Sequence, residues 1–491
     1  MNVRVLSSIL GLLIFLLAFF LLIFYLTAEF IYPEEGQSLA FLQSLLISAF
    51  TAFFLVLFGG KIREDEVTFR EGFAVVGLGW IVIAFFGAFP AYLSGDIVTF
   101  TDAYFESMSG YTTTGATVVT DIESLGHVVL LWRSFSHWLG GMGFIVLSLA
   151  ILPALGVGGM QLYKAEVPGP SPDKLVPRIG HTARMLYLVY TFFTIAQCAI
   201  LWLGGMNLFE SLCHTFGTMG TGGFSPLNGS VGQYEGYHNP NALFFEVVII
   251  FFMFLAGTNF SLHYRFMGGD WKAYFRDAEF RFYLSLIVVA VFTIALDLYF
   301  SSSYSGAGKI VRHSVFSVVS IVTTTGYGTQ DFDSWPQYSR WMLVMLMFVG
   351  GMAGSTGGGI KVLRIMTIFK EAVYEISRII HPRKVKSIRF GKTYIPLEII
   401  SSMNVFVIIF LMLYVLGILI LSTTGYDYET VSTMVVACIA NIGPGLGKVG
   451  PTQNYSFLPD YAKWVLSYLM VLGRLELFPI LVLSLPSIWT K

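Results

Sequence analysis

The chain has 491 residues, of which 55% are hydrophobic and 12% charged, with a mean hydropathy of +0.72. That composition describes a polytopic membrane protein and excludes a soluble domain. A formal net charge of −1 offers no bulk basicity for nucleic acid, and Cys198, Cys213 and Cys438 all fall in apolar segments without paired or metal-ligand spacing, so they read as small core residues.

The N-terminus opens on a long apolar run without a small-residue cleavage site, which reads as a retained first helix and not a signal peptide. Residues 5–31 and 37–58 predict two spans, joined by Glu34-Glu35-Gly36 and followed by the charged loop Lys61–Glu66. This pair, residues 1–66, stands outside the pattern that follows. From there the chain reads as four units, 67–160, 161–270, 271–392 and 393–491. Each consists of a span, a half-length apolar helix, a glycine-bearing loop and a second span. First spans are expected near 71–93, 185–206, 281–300 and 397–421, and second spans near 127–152, 241–263, 338–370 and 461–487. About 20 residues cross a hydrocarbon core of about 30 Å. The expected architecture is therefore all-α, with ten spans and four re-entrant hairpins around one pore.

The four loops are Thr112–Thr117, Gly220–Ser225, Thr323–Gly328 and Asn441–Gly445. Taking Gly115, Gly223, Gly326 and Gly443 as equivalent, the spacings are 108, 103 and 117 residues, and thirteen residues upstream of each lies Asp102, Glu210, His313 or Thr430. A dehydrated alkali cation needs oxygen ligands, and a narrow ring of backbone carbonyls can replace its water shell. Inward-pointing carbonyls need unusual φ/ψ, which glycine tolerates. The preceding short helix aims its partly negative C-terminal end at the pore. Non-helical backbone at membrane depth is tolerated where it is buried in protein or lines water. The candidate filter residues are Thr113, Thr114 and Gly115; Gly222 and Gly223; Thr324, Thr325 and Gly326; and Asn441, Ile442 and Gly443. Gly222-Gly223 leaves the second register open by one residue, and the thirteen-residue spacing selects Gly223.

A second repeat lies in the second spans, where Gly140-Gly141-Met142-Gly143 matches Gly350-Gly351-Met352-Ala353, Ala256-Gly257-Thr258-Asn259 fills the slot in unit two, and Gly473-Arg474-Leu475-Glu476 fills it in unit four. Arginine thus stands where the other units carry glycine. A mid-span charge normally faces a partner or a water-filled cavity. Arg474 reads either as a fixed positive charge below the filter or as half of an ion pair with Glu476 or another carboxylate. The run Gly350, Gly351, Gly354, Ser355, Thr356, Gly357, Gly358 and Gly359 interrupts the third second-span helix, since each glycine costs about 1 kcal/mol relative to alanine there. It lacks the Gly-Lys-Ser/Thr ending of a phosphate loop. An intramembrane gate under the filter is one reading and close helix packing the other.

Asp102, Glu106 and Glu210, at or near the starts of the first two pore helices, complement helix N-termini and could draw cations to the mouth. His214 and His313 read as local hydrogen-bonding residues. With the N-terminus cytoplasmic, 22 of the 29 lysines and arginines fall inside and all four hairpins enter from the outer face. The basic run His381–Arg389 follows this bias and could also meet an acidic partner or headgroups, while Glu166–Pro172 is a stiff loop of no evident task. Neither H-E-x-x-H nor G-x-S-x-G occurs in the spans, so no enzyme chemistry is expected.

With filters, broken inner helix and Arg474 in place, the chain resembles the Trk/Ktr/HKT superfamily of potassium transporters over essentially its whole length. The extra N-terminal pair is most similar to the bacterial Trk potassium-uptake membrane subunits. The resemblance implies that Gly115, Gly223, Gly326 and Gly443 mark a potassium filter, that Gly350–Gly359 is the gate and that Arg474 is the pore arginine. It implies no covalent cofactor, a homodimer in a bacterial cytoplasmic membrane, and a cytosolic ring of nucleotide-binding regulatory subunits of the TrkA type. Glycine at all four filter positions points to potassium over sodium, with rubidium accepted. A sodium- or proton-coupled symporter with a midplane site is the alternative.

Overall fold

The computed structural model describes residues 1–60, 68–143, 179–302, 304, 306–381, 389–390 and 393–489. The charged loop 61–66, the loop Glu166–Pro172 and the interior of the basic run 381–389 lie outside these. Among the described residues the chain is helical apart from a two-residue antiparallel ladder, in which β1 (Arg389–Phe390) pairs with β2 (Thr393–Tyr394).

Two apolar helices, α1 (Val3–Phe30) and α2 (Ser38–Gly59), form an antiparallel hairpin in which Ser7 and Ser8 hydroxyls donate to the Leu55 and Gly60 carbonyls at 3.0 and 2.8 Å. A Thr68–Glu71 capping box starts α3 (Phe69–Gly87), and the same Glu71 carboxylate accepts from the Asn2 amide at 2.7 Å. The starts of α1 and α3 are thereby tied to one face of the membrane.

The rest of the chain runs α4 (Phe100–Tyr111), α5 (His127–Gly141), α6 (Ile179–Leu203), α7 (Leu208–Gly220), α8 (Ala242–Ala256), α9 (Phe260–Met267), α10 (Ala278–Phe300), α11 (Ala307–Val322), α12 (Gln337–Val349), α13 (Val362–Ile380), α14 (Leu397–Leu421), α15 (Tyr428–Ile439), α16 (Asp460–Arg474) and α17 (Phe478–Leu483). The half-length helices α4, α7, α11 and α15 each end in one of the four glycine-bearing loops. Around them α5 packs on α4 and α7, α8 on α7 and α11, α12 on α11 and α15, and α16 on α15 and α4. The last contact closes the circle, with Trp464 stacked on Tyr104 at 4.6 Å and Lys463 paired with Asp102.

Six helices among the described residues are long and apolar enough to cross a membrane, and they coincide with the N-terminal pair and the first span of each unit. The second spans extend the interruption expected in the third, because among the described residues all four helices end at the repeated slot. Thus α5 stops at Gly141, α8 turns by 101° into α9, α12 stops before Gly350, and α16 gives way to α17 through Glu476 and Leu477 at φ +54° and +65°. The glycines at the slot are required by close approach. A side chain on Gly140 or Gly473 would collide with the carbonyl oxygen of Tyr111 or Ile439 at the ends of α4 and α15. Hydropathy averaged over a whole span cannot register such a break.

Candidate ion pathway

Side chains of Thr99, Asn207 and Asp427 cap α4, α7 and α15, so Asp102, Glu210 and Thr430 are each the third helical residue. The third pore helix departs from this. It begins at Ala307, a turn earlier, and His313 is its seventh residue.

Beyond each pore helix the backbone follows one path four times. Thr113, Thr221, Thr324 and Asn441 take φ of +54°, +55°, +60° and +57°, and two residues on Gly115, Gly223, Gly326 and Gly443 take +80°, +79°, +82° and +94°. Between them, the amides of Thr114, Gly222, Thr325 and Ile442 each donate back to a pore-helix carbonyl at 2.8 Å. Threonine at positive φ is strained; these four returning hydrogen bonds hold it. The loops also meet in sequence. A side chain on Gly115 would collide with the Gly222 carbonyl oxygen, one on Gly223 with that of Thr325, one on Gly326 with that of Ile442, and one on Gly443 with that of Thr114. Each filter glycine is thus backed by the carbonyl just before the next one, and the fourth returns to the first. This circle sets the second register at Gly223. All four glycines line one cavity of about 140 Å³.

Directly beneath lies the loop joining α12 to α13. Gly357 packs against the Thr323 carbonyl and Gly358 against that of Ala440, while the Gly358 amide donates to Thr324 Oγ1 at 2.7 Å. Gly350, Gly354 and Gly359 take positive φ, Gly351 and Ser355 pack on each other, and Thr356 donates to the Ala256 carbonyl. Amides of Met352 and Ala353 reach the Gly257 carbonyl and the Glu279 carboxylate at 2.9 and 2.8 Å. Arg474 donates to the carbonyls of Thr356, Gly140 and Gly141 at 2.6, 2.5 and 2.8 Å. It lines a cavity of about 100 Å³ with Gly141, Gly357, Gly358, Lys361 and Glu476. Glu476, the carboxylate nearest in sequence, pairs with Arg364.

Several expectations are corrected here. Glu106 is not at a helix start; it is the seventh residue of α4, 3% exposed, and pairs with Arg133 of α5 at 2.6 Å while accepting from Thr117 Oγ1 and the Val118 amide. Asp102 pairs with Lys463, and Glu210 accepts from Tyr234. None of these three carboxylates lines the cavity between the four glycines. His214 bonds the Glu210 carbonyl and His313 bonds Thr329, the local hydrogen bonding expected of both. Lys361 and Arg364, just beyond the glycine run, are buried at 3% and 6%.

Sequence reasoning omitted Thr221 from the second filter, although its place two residues before Gly223 was available from the register. It also missed two tyrosine struts: Tyr327 donates to the His214 carbonyl at 3.0 Å, and Tyr455 donates to that of Gly443 at 2.7 Å. The Glu106–Arg133 pair could have been found as a lone arginine and a lone glutamate in apolar helices of one unit. Replacing Arg133 with leucine strands the Glu106 carboxylate in the protein, at an expected cost of about 3–5 kcal/mol. Thermal unfolding in detergent checks this, with Glu106→Gln, which retains an acceptor for Thr117 and Val118, expected to lose less.

Residues 41–490 match the family model of TrkH, described as a cation transport protein. The Trk system potassium uptake protein TrkH of Escherichia coli (strain K12) is 39% identical over 494 residues, covering 100% of both chains. The Trk system potassium uptake protein TrkG of the same strain is 35% identical over 99% of each. The crystal structure of the potassium transporter TrkH from Vibrio parahaemolyticus superposes with a TM-score of 0.87 at 34% identity, again over 100% of both chains. This chain belongs to the TrkH family of cation transport proteins, a family of transporters and not of enzymes.

Proposed function

We propose that the protein takes up potassium through the circle of four filter loops. One observation carries the reading: four loops share one backbone path, each setting its carbonyl beside the next loop's glycine. A ring of carbonyls replaces the water shell of a dehydrated cation, and glycine in all four places suits potassium and rubidium. The potassium-uptake names of relatives matched over the full length support the same ion.

In this reading the loop Gly350–Gly359 gates the pathway and Arg474 holds it closed from beneath. The N-terminus is cytoplasmic, the filter opens outward, and the chain sits in a bacterial cytoplasmic membrane; the 22 of 29 lysines and arginines that this places inside support the orientation. The working unit is a homodimer whose basic inner loops receive a ring of nucleotide-binding regulatory subunits.

Cation flux into liposomes tests the function, comparing potassium, rubidium and sodium with and without imposed sodium or proton gradients. Passive potassium and rubidium entry with little sodium entry is the expected result. Flux that appears only with a coupling gradient would move the mechanism to symport, with the loops acting as a binding site in a transport cycle.

A further inference from the structure

We infer that His137 is a positioning residue for the second filter loop, supplying from α5 the bulk that Gly222 lacks. The inference rests on the filter reading above and concerns how one of its four loops is held.

Just before the filter glycine the other loops carry Thr114, Thr325 and Ile442. In the first and third loops that side chain closes a clasp behind the filter, with Thr112 and Thr114 hydroxyls 2.8 Å apart and Thr323 and Thr325 hydroxyls also 2.8 Å apart. The second loop has Gly220 and Gly222 in those places and can form no such clasp. Nor does Gly222 serve an unusual backbone, since the positive φ angles there belong to Thr221 and Gly223.

What requires glycine at 222 is the imidazole. The first carbon of any side chain there would land on Nδ1 of His137, with Cε1 and Cγ of the ring also inside contact distance. The helices approach closely enough to deliver the ring because Gly141 meets Gly220, where a side chain on Gly141 would come within 2.6 Å of the Gly220 Cα. The ring is fully buried and stands edge-on to Phe224, the next filter residue, with centroids 4.2 Å apart. Neither ring nitrogen has a hydrogen-bond partner among the described residues. The ring therefore acts on the loop by volume and by its edge on Phe224.

The other second-span helices make the contrast. Three residues before the slot they carry Met253, Met347 and Met470, all fully buried, where α5 carries His137. The unit with the imidazole is the one whose helix backs the loop with no side chain at that place. His137 and Gly222 thus form a matched pair, whereas the helices that carry methionine at this place stand in a molecule whose other loops carry Thr114, Thr325 and Ile442.

The test is a double-mutant exchange in the full-length protein, read as potassium and sodium flux in liposomes with membrane accumulation measured in parallel. Gly222→Thr alone is expected to lower potassium flux by about tenfold to a hundredfold, the usual range for disturbing the shell behind an ion ligand. His137→Met with Gly222→Thr, which places the residue types of the other units at both positions, is expected to return flux to within about threefold of the parent. If Gly222→Thr fails to accumulate, the double variant is expected to accumulate, because the collision is gone. His137→Met alone is expected to retain flux but admit about tenfold more sodium. A tolerated Gly222→Thr, a double variant no better than the single one, or unchanged selectivity in His137→Met would each overturn the inference. Absence of potassium selectivity in the parent protein would instead overturn the functional reading.

Discussion

Replacing Gly326 with alanine is expected to abolish discrimination between potassium and sodium, while replacing Gly425 with alanine leaves it intact. The two glycines have similar backbones, at φ +82° and +77°. An L side chain at either incurs left-handed strain of about 1–2 kcal/mol. They differ in what the new methyl group meets. Around Gly425 there is nothing within 4 Å, whereas at Gly326 the methyl collides with the Ile442 carbonyl oxygen and comes within 2.9 Å of Pro444 Cδ. Only the second substitution displaces an oxygen of the circle. Potassium flux in the Gly326 variant should fall by about tenfold to a hundredfold, or persist with sodium admitted. Rubidium uptake with sodium competition in liposomes reads both outcomes. Selective flux surviving in Gly326→Ala would remove this carbonyl from the filter.

The second large effect is expected beneath the filter, where Arg474→Ala should raise resting potassium flux by about tenfold, the equivalent of losing one charge-assisted hydrogen bond of about 1.5 kcal/mol. The guanidinium bridges two breaks in the helices, holding Thr356 of the α12–α13 loop to Gly140 and Gly141 at the end of α5. Its removal takes away a positive charge from the pathway and also frees the loop. Arg474→Lys separates these two effects, because lysine retains the charge but not the planar fork that reaches three carbonyls at once. A lysine variant as tight as the parent makes the charge the barrier; one as leaky as alanine makes the bridge the barrier. Lower flux in a normally inserted Arg474→Ala protein would argue against any barrier at this position.

These expectations differ in how far they could be drawn before a fold was known. The four equivalent glycines were legible because an unusual backbone calls for glycine, and Gly115, Gly223, Gly326 and Gly443 recur at similar intervals with half-length apolar stretches before them. Glu106 shows the opposite. As a carboxylate near a helix start it suggested a cation-attracting mouth, yet the partner that draws it inward, Arg133, lies 27 residues on and on another helix. The burial of Lys361 and Arg364 was hidden for a related reason: a basic residue after a glycine run looks exposed until the fold of the α12–α13 loop buries it.

The sequence alone determined the class of the protein, the all-helical architecture and the positions of its N-terminal pair and four first spans, because these rest on local composition and on spacing along the chain. Only the tertiary structure decided the order in which the loops meet, the register of the second one, the break in every second span and the place of His137 behind Gly222. Each of those depends on a contact between backbone or side-chain atoms far apart in the chain, and such a contact leaves no period in the sequence.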